Sequence, residues 1–146
     1  MSKIVLIGIV LLLVWIRLML PFIRAKIISD KSLEDNPINE RFHVILETLD
    51  REIFSGNSTV TVYDENREYM QMTGDNDFGV SYVFMYSTMN LTVQILFGEG
   101  SGQQMVEKTF NRVENVSDSV QNSIAKLIVD ETRNKAPEER QRENRK

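Results

Sequence analysis

The sequence predicts an α+β protein: an N-terminal transmembrane helix, then a helix, an antiparallel meander of four or five strands, and a C-terminal helix packed on one face. Three observations support this prediction. A long apolar run opens the chain, apolar and polar residues alternate in its middle, and apolar residues recur at helical spacing on both sides of that alternation. Short connections between the alternating segments favour antiparallel pairing, because parallel strands need long crossovers.

The chain of 146 residues has room for one compact domain and an appendage. The expected division is an anchor at 1–28, a linker at 29–36, a soluble domain at 37–134 and a disordered charged tail at 135–146. Residues 36–134 carry seven Lys/Arg and fifteen Asp/Glu, a net charge of −8 that repels phosphates and disfavours nucleic-acid partners. The sequence has no cysteine, which excludes disulfides, thiolate metal ligands and cysteine nucleophiles.

The opening run, residues 4–23, is interrupted only by Gly8, Arg17 and Pro21. At about 1.5 Å per residue, a helix of this length crosses the roughly 30 Å hydrocarbon core of a bilayer. A cleaved signal peptide is the alternative, but no small-x-small cleavage triplet follows the apolar core. A soluble helix is disfavoured because residues 4–16 are apolar on all sides. The sequence therefore predicts a membrane span.

Arg17 is the charged residue inside this run. A charge at the bilayer centre costs about 2.5–3.5 kcal/mol. Arg17 precedes the end of the run by six residues, so its side chain could reach the headgroups. The alternative is an ion pair with a partner subunit inside the membrane, which makes Arg17 a candidate partner-binding residue.

The charges that flank the run predict its orientation. Its C-terminal side carries Arg17, Arg24, Lys26 and Lys31, against Lys3 and the α-amine at the other end. The positive-inside rule then places the soluble domain in the cytoplasm. Three Asn-X-Ser/Thr triplets, at Asn57, Asn90 and Asn115, could suggest the opposite side, but this composition produces such triplets by chance.

Two amphipathic helices are predicted around the alternating region. Asn36-Pro37 is a typical helix start, and apolar residues follow at helical spacing as far as residue 53. Ser117 caps the second helix. Its buried face is expected to consist of Val120, Ile124, Leu127 and Ile128.

The alternating segments predict strands at 58–64, 67–73, 79–87 and 91–97, with Asp64–Asn66 as the first turn. Residues 103–113 fit a strand or a helix, and their Val, Thr and Phe content favours a fifth strand.

One face of the third predicted strand carries Tyr82, Phe84 and Tyr86. This row is either core packed against the helices or an exposed partner-binding face, since Tyr is enriched at interfaces.

Two loops and one side chain are candidates for ligand binding, metal binding or catalysis. GEGSG at 98–102 could cradle a phosphate if a helix followed it, although it lacks the lysine of a P-loop; a hairpin turn is the alternative. GDNDFG at 74–79 is similar to a calcium loop, but Tyr86 stands where the bidentate Glu would be, and a polar turn explains it. His43, the only histidine, is expected on the surface.

These observations predict no catalytic, cofactor-binding or metal-binding residues. The function they favour is that of a membrane-anchored, non-enzymatic binding or assembly domain, a subunit or adaptor of a larger membrane-associated complex. It would contact the bilayer through residues 4–23 and an unidentified protein partner. The alternative is a ligand- or nucleotide-responsive domain that uses the loop at 98–102.

Overall fold

A computed structural model describes residues 3–63 and 68–143. Its helices are α1 (Lys3–Asp35), α2 (Ile38–Arg41), α3 (His43–Glu52) and α4 (Asp118–Glu143). Its strands are β1 (Ser58–Val62), β2 (Tyr69–Gly74), β3 (Val80–Ser87), β4 (Asn90–Phe97) and β5 (Gln104–Phe110). This order of an apolar helix, further helices, strands and a last helix confirms the predicted α+β fold. The predicted turn at Asp64–Asn66 lies outside the described residues.

The sheet is an antiparallel meander with the strand order β1-β2-β3-β4-β5. Of the two interpretations of residues 103–113, the strand is confirmed, because these residues contain β5, which pairs with Leu91–Phe97 of β4.

The core lies between one face of the sheet and the helices α2, α3 and α4, of which α3 and α4 pack side by side. Full burial of such a side chain contributes about 1.5–3 kcal/mol. The core residues from the sheet include Met70, Met72, Tyr82, Phe84, Tyr86, Leu91, Val93 and Ile95, and those from the helices include Phe42, Ile45, Leu49, Ile124 and Ile128.

The buried face of α4 differs from the predicted one. Ile124 and Ile128 are buried as expected, but Val120 and Leu127 are exposed. The positions that complete the buried stripe are Gln121, Ala125, Val129, Thr132 and Ala136. Apolar spacing could not identify the two polar members, because their burial depends on hydrogen bonds to residues far away in the sequence.

The segment expected to be a linker is mostly helical. α1 continues to Asp35 without Gly or Pro between residues 22 and 36, and the Leu33 side chain is buried in the core. The helix ends just before Pro37, since the residue preceding a proline avoids the helical conformation.

The tail expected to be disordered is also helical as far as Glu143. Ala136 is buried against the core, and the Glu, Gln and Arg residues that follow are good helix formers, although Pro137 cannot donate the helical hydrogen bond to the carbonyl oxygen of Arg133. The helix predicted over residues 37–53 is instead divided at Phe42, whose backbone leaves the helical region (φ −110°, ψ 29°).

Candidate functional site

α1 carries the largest exposed apolar surface of the described chain. The stretch Ile7–Ile28 has a mean hydropathy of 2.1, and none of it is buried. By length and composition this helix could cross a membrane, a test that a signal sequence also passes. A contiguous apolar surface of this size is unfavourable in water and marks a surface covered by lipid or protein.

Arg17 and Pro21 place two polar groups at the same level of this helix. Arg17 is exposed, and α1 continues as a helix through Pro21, one turn later. Proline has no N–H, so the carbonyl oxygen of Arg17 lacks the donor that residue i+4 normally supplies. Within hydrocarbon, both the guanidinium and this carbonyl require polar partners. The spacing of four residues between Arg17 and Pro21 is the signal in the sequence that links the charge to the unpaired carbonyl.

Arg17 also belongs to a basic stripe along α1. Arg17, Arg24 and Lys31 are exposed and follow one another at intervals of seven residues. An α-helix drifts only about 20° over seven residues, so the three charges share one face. Between residues 7 and 25, Arg17 and Arg24 are the only charged residues, so this face differs chemically from the rest of that stretch.

The helix enters the α+β domain directly. Leu33 is 2 % exposed and belongs to the core, five residues after Ile28. Five helical residues rise about 7.5 Å. The domain is therefore held close to the end of the apolar stretch by a helix rather than by an irregular linker.

Arg41 is a buried arginine that sequence analysis did not single out. Its Nη1 donates to Tyr86 Oη (3.3 Å) and to the carbonyl oxygen of Glu114 (3.0 Å), and its guanidinium lies 5.1 Å from the centroid of the Tyr86 ring. Gln121 Nε2 donates to the carbonyl oxygen of Arg41 (2.8 Å). These contacts join α2 to β3, to the segment after β5 and to α4, so Arg41 acts as a structural residue. Its partners lie too far away in sequence to be predicted from spacing.

The aromatic row of β3 forms part of the core. Tyr82, Phe84 and Tyr86 are all buried, and their rings pack against each other or against Phe42 and Phe54. Of the two interpretations of this row, the structure supports the core. An exposed partner-binding face on these three residues is inconsistent with their burial.

The loop at 98–102 forms a hairpin connection. Gly100–Gly102 is a short 3₁₀ turn, and strand β5 follows it instead of the helix that a phosphate cradle would need. A cleft of about 370 Å³ separates this loop from residues 74–79. The ionisable residues that line the cleft are Asp75 and Glu99, which disfavours a phosphate group there.

Asn76 explains the conformation of the loop at 74–79. Its Nδ2 donates to the carbonyl oxygens of Gly74 (3.0 Å) and Val80 (2.9 Å), and its Oδ1 accepts from the N–H groups of Phe78 and Val80 (both 3.1 Å). Across residues 3–63 and 68–143, no group of three His, Cys, Asp or Glu residues is placed to hold a metal ion. The only histidine, His43, lies on the surface, as predicted, with Nδ1 3.0 Å from the carbonyl oxygen of Glu40.

Comparison with known proteins gives no family assignment. No family model matches the chain, and neither the curated proteins nor the solved structures contain a significant match.

Proposed function

We propose that this protein is a single-span, non-enzymatic assembly subunit of a larger membrane-associated complex. α1 would cross the bilayer, and the α+β domain would lie at one membrane surface. The observation that carries the proposal is the pair of polar groups at Arg17, the guanidinium and the carbonyl released by Pro21. A lone span gains nothing from such groups in lipid, whereas a span within an assembly uses them to select its neighbour.

The chemistry at Arg17 specifies the partner. A neighbouring transmembrane helix with Asp or Glu at the depth of Arg17 would neutralise the charge through charge-assisted hydrogen bonds. A hydroxyl or amide side chain on that helix would donate to the carbonyl oxygen of Arg17. The basic stripe of Arg17, Arg24 and Lys31 defines the face of α1 that the partner would contact.

Co-purification in gentle detergent tests this proposal. The intact chain should extract with a stoichiometric membrane partner, and Arg17→Leu should lose that partner. Lys26→Leu is the matched control, because Lys26 is also a basic residue of α1 but lies off the stripe; it should keep the partner. A lone monomer for the intact chain, or equal recovery for both variants, would contradict the proposal.

A nucleotide-responsive function at residues 98–102 has less support. The strand that follows the loop and the two carboxylates of the adjacent cleft both oppose phosphate binding. Calorimetric detection of nucleotide binding that Gly100→Val abolishes would reverse this ranking.

The cytoplasmic location of the domain is part of the proposal and rests on the positive-inside rule. A cysteine introduced at the exposed Glu99 gives a specific label, since the chain contains no other cysteine. A membrane-impermeant maleimide should label this site only after the cells are opened. Labelling of intact cells would place the domain outside. A labelled chain that has lost roughly its first 20–30 residues would identify α1 as a cleaved signal peptide.

A further inference from the structure

β1, one of the two outer strands of the sheet, lacks the features that normally protect an edge. Its sequence is STVTV, which contains no charged residue and no proline. Native proteins usually block edge strands with charges, proline or bulges, because the unpaired N–H and C=O groups of an edge invite another strand. β1 pairs with β2 in an unbroken register along its whole length, so no bulge turns this edge away. The edge is therefore open to strand pairing.

The backbone groups at this edge belong to alternate residues of β1. The N–H of Tyr63 donates to the carbonyl oxygen of Tyr69 (3.2 Å), which continues the pairing of β1 with β2. Because bonding alternates along an antiparallel strand, Val60 and Val62 direct their N–H and C=O groups away from β2. No strand of the described chain pairs with them on that side. Val60 and Val62 therefore present donors and acceptors at the edge of the sheet.

The backbone of β1 fits a second copy of itself. In an antiparallel register centred on Val60, the N–H and C=O groups of Val60 would bond reciprocally to Val60 of the second copy. The N–H of Val62 would donate to the carbonyl oxygen of Ser58 of the second copy. The N–H of Ser58 already donates to Asp50 Oδ1 (3.0 Å), so the paired segment ends there.

The side chains also fit this register. Thr59 and Thr61 are exposed, and Thr59 of each copy would lie opposite Thr61 of the other. Cross-strand Thr–Thr pairs stabilise sheets. The turn that precedes β1, residues 54–57, is uncharged. The register therefore sets no like charge against Asp64 or Glu65, which follow β1 in the sequence.

The other outer strand, β5, is protected against pairing with itself. Glu107 and Lys108 are exposed, and Lys108 Nζ lies 3.1 Å from Glu131 Oε2 of α4. A β5–β5 pairing centred on Glu107 would place two carboxylates opposite each other, which is unfavourable. Pairing of β1 with β5 of another copy would leave free edges and extend into a filament, whereas the two-fold β1–β1 pairing closes.

We infer that two copies of this chain associate through β1 and form one continuous sheet. The two-fold axis would be perpendicular to the sheet, so Leu33 at the end of α1 would lie on the same side of the sheet in both copies. Strand pairing over five residues falls short of the roughly 1,000 Å² expected of a stable interface in solution. Two spans in one bilayer would supply the missing affinity by raising the effective concentration of the domains. The inference thus uses the proposed span as a tether but does not need the transmembrane partner of Arg17.

Disulfide crosslinking in isolated membranes tests the register, because the chain contains no cysteine of its own. Two differently tagged forms of the full chain, Thr59→Cys and Thr61→Cys, would be expressed together and treated with a mild oxidant. The two positions face each other across the proposed interface. The same position in both copies lies on the diagonal, with Cα atoms about 7–8 Å apart, which is too far for an unstrained disulfide. The mixed pair should therefore crosslink severalfold more than either variant alone.

The matched control lies on β5. Met105 and Thr109 are exposed, and a β5–β5 pairing centred on Glu107 would bring them opposite each other. Met105→Cys expressed with Thr109→Cys should crosslink no more than the single variants do. Equal crosslinking of the mixed and single variants on β1, or equal crosslinking on the two edges, would overturn the inference. A disulfide from residue 59 or 61 to a different protein, in place of a second copy, would overturn it as well.

Arg17→Leu separates this inference from the proposed function. In a chain that also carries the β1 cysteines, this substitution should remove the transmembrane partner and leave the crosslink unchanged. A partner that co-purifies with the intact chain, without a crosslink between residues 59 and 61, would overturn only the pairing of β1. A crosslink without any co-purified partner would overturn only the proposed function.

Discussion

The hydroxyl groups of Tyr82 and Thr132 lie 2.8 Å apart inside the core and join β3 to α4. Thr132 Oγ1 also donates to the carbonyl oxygen of Ile128 (2.9 Å), which uses its single proton. Tyr82 must therefore be the donor to Thr132. The result is a directed chain from Tyr82 through Thr132 to the backbone of α4, in which each polar atom is satisfied.

The direction of this chain predicts unequal effects of removing its two hydroxyl groups. Tyr82→Phe leaves the bond from Thr132 to Ile128 intact, so the free energy of unfolding should fall by about 0.5–1.5 kcal/mol. Thr132→Val leaves the buried hydroxyl of Tyr82 without its acceptor and should cost about 1–3 kcal/mol. Denaturant unfolding of the full chain in detergent measures both values, and a larger loss for Tyr82→Phe would contradict the assigned direction.

Tyr82 should also make stability depend on alkaline pH. Burial raises the pKa of Tyr82 far above its usual value. In the unfolded chain the phenol releases its proton near pH 10, whereas the folded chain retains it. The contribution of protonated Tyr82 to the free energy of unfolding is therefore fully present below about pH 10. It is lost as the pH rises further. The free energy of unfolding of Tyr82→Phe should fall less steeply above about pH 10 than that of the original chain; parallel curves would refute this.

Neighbouring residues of α4 should respond differently to truncation. Ile128 is fully buried, whereas Leu127 is 60 % exposed. Ile128→Ala should cost about 2–5 kcal/mol through the lost apolar volume. Leu127→Ala should change stability by no more than about 0.5 kcal/mol, as is usual for surface positions. Melting temperatures of the two variants provide the comparison, and equal losses would contradict the orientation of α4.

The strands were predictable because alternation of apolar and polar residues reports directly which face is buried. The same reasoning worked for Tyr82 and Ile95, whose burial requires only an apolar partner face. It failed for Gln121 and Thr132, because their burial depends on Arg41 and Tyr82, distant residues that no spacing rule connects.

Only the chemical identity of the residues in the candidate site was predictable from the sequence. The charge of Arg17 and the missing N–H of Pro21 can be read from the sequence. The positive φ of Thr88 and Met89 between β3 and β4 could not be predicted, because a Thr-Met pair is an unusual choice for such a turn. The helical conformation of the predicted linker was missed because a polar segment without Gly or Pro has no pattern that distinguishes a helix from coil. Leu33 is the one apolar residue of this segment that packs in the core.

Hydrogen bonds of Asn76, and not a bound calcium ion, should stabilise the β2–β3 loop. Its side chain makes four hydrogen bonds to the backbone, so Asn76→Ala should destabilise the protein by about 2–6 kcal/mol, at about 0.5–1.5 kcal/mol for each bond. The exposed Asp77 is the control, and Asp77→Ala should have little effect. Melting temperatures should be the same with calcium and with a chelator. Stabilisation by calcium that Asp77→Ala abolishes would instead establish a metal site.

Thr88 lies in the two-residue turn between β3 and β4 with a positive φ of 48°, and relief of the strain there should stabilise the domain. Residues at positive φ cost on the order of 1–3 kcal/mol, and asparagine tolerates this region much better than a β-branched residue. Thr88→Asn should therefore raise the free energy of unfolding by about 1 kcal/mol. The matched control is Thr92→Asn in β4, where the strand favours threonine and Thr92 Oγ1 lies 3.1 Å from Thr109 Oγ1. The same substitution should thus have opposite signs at the two sites. Destabilisation at both would show that the turn at Thr88 is not strained.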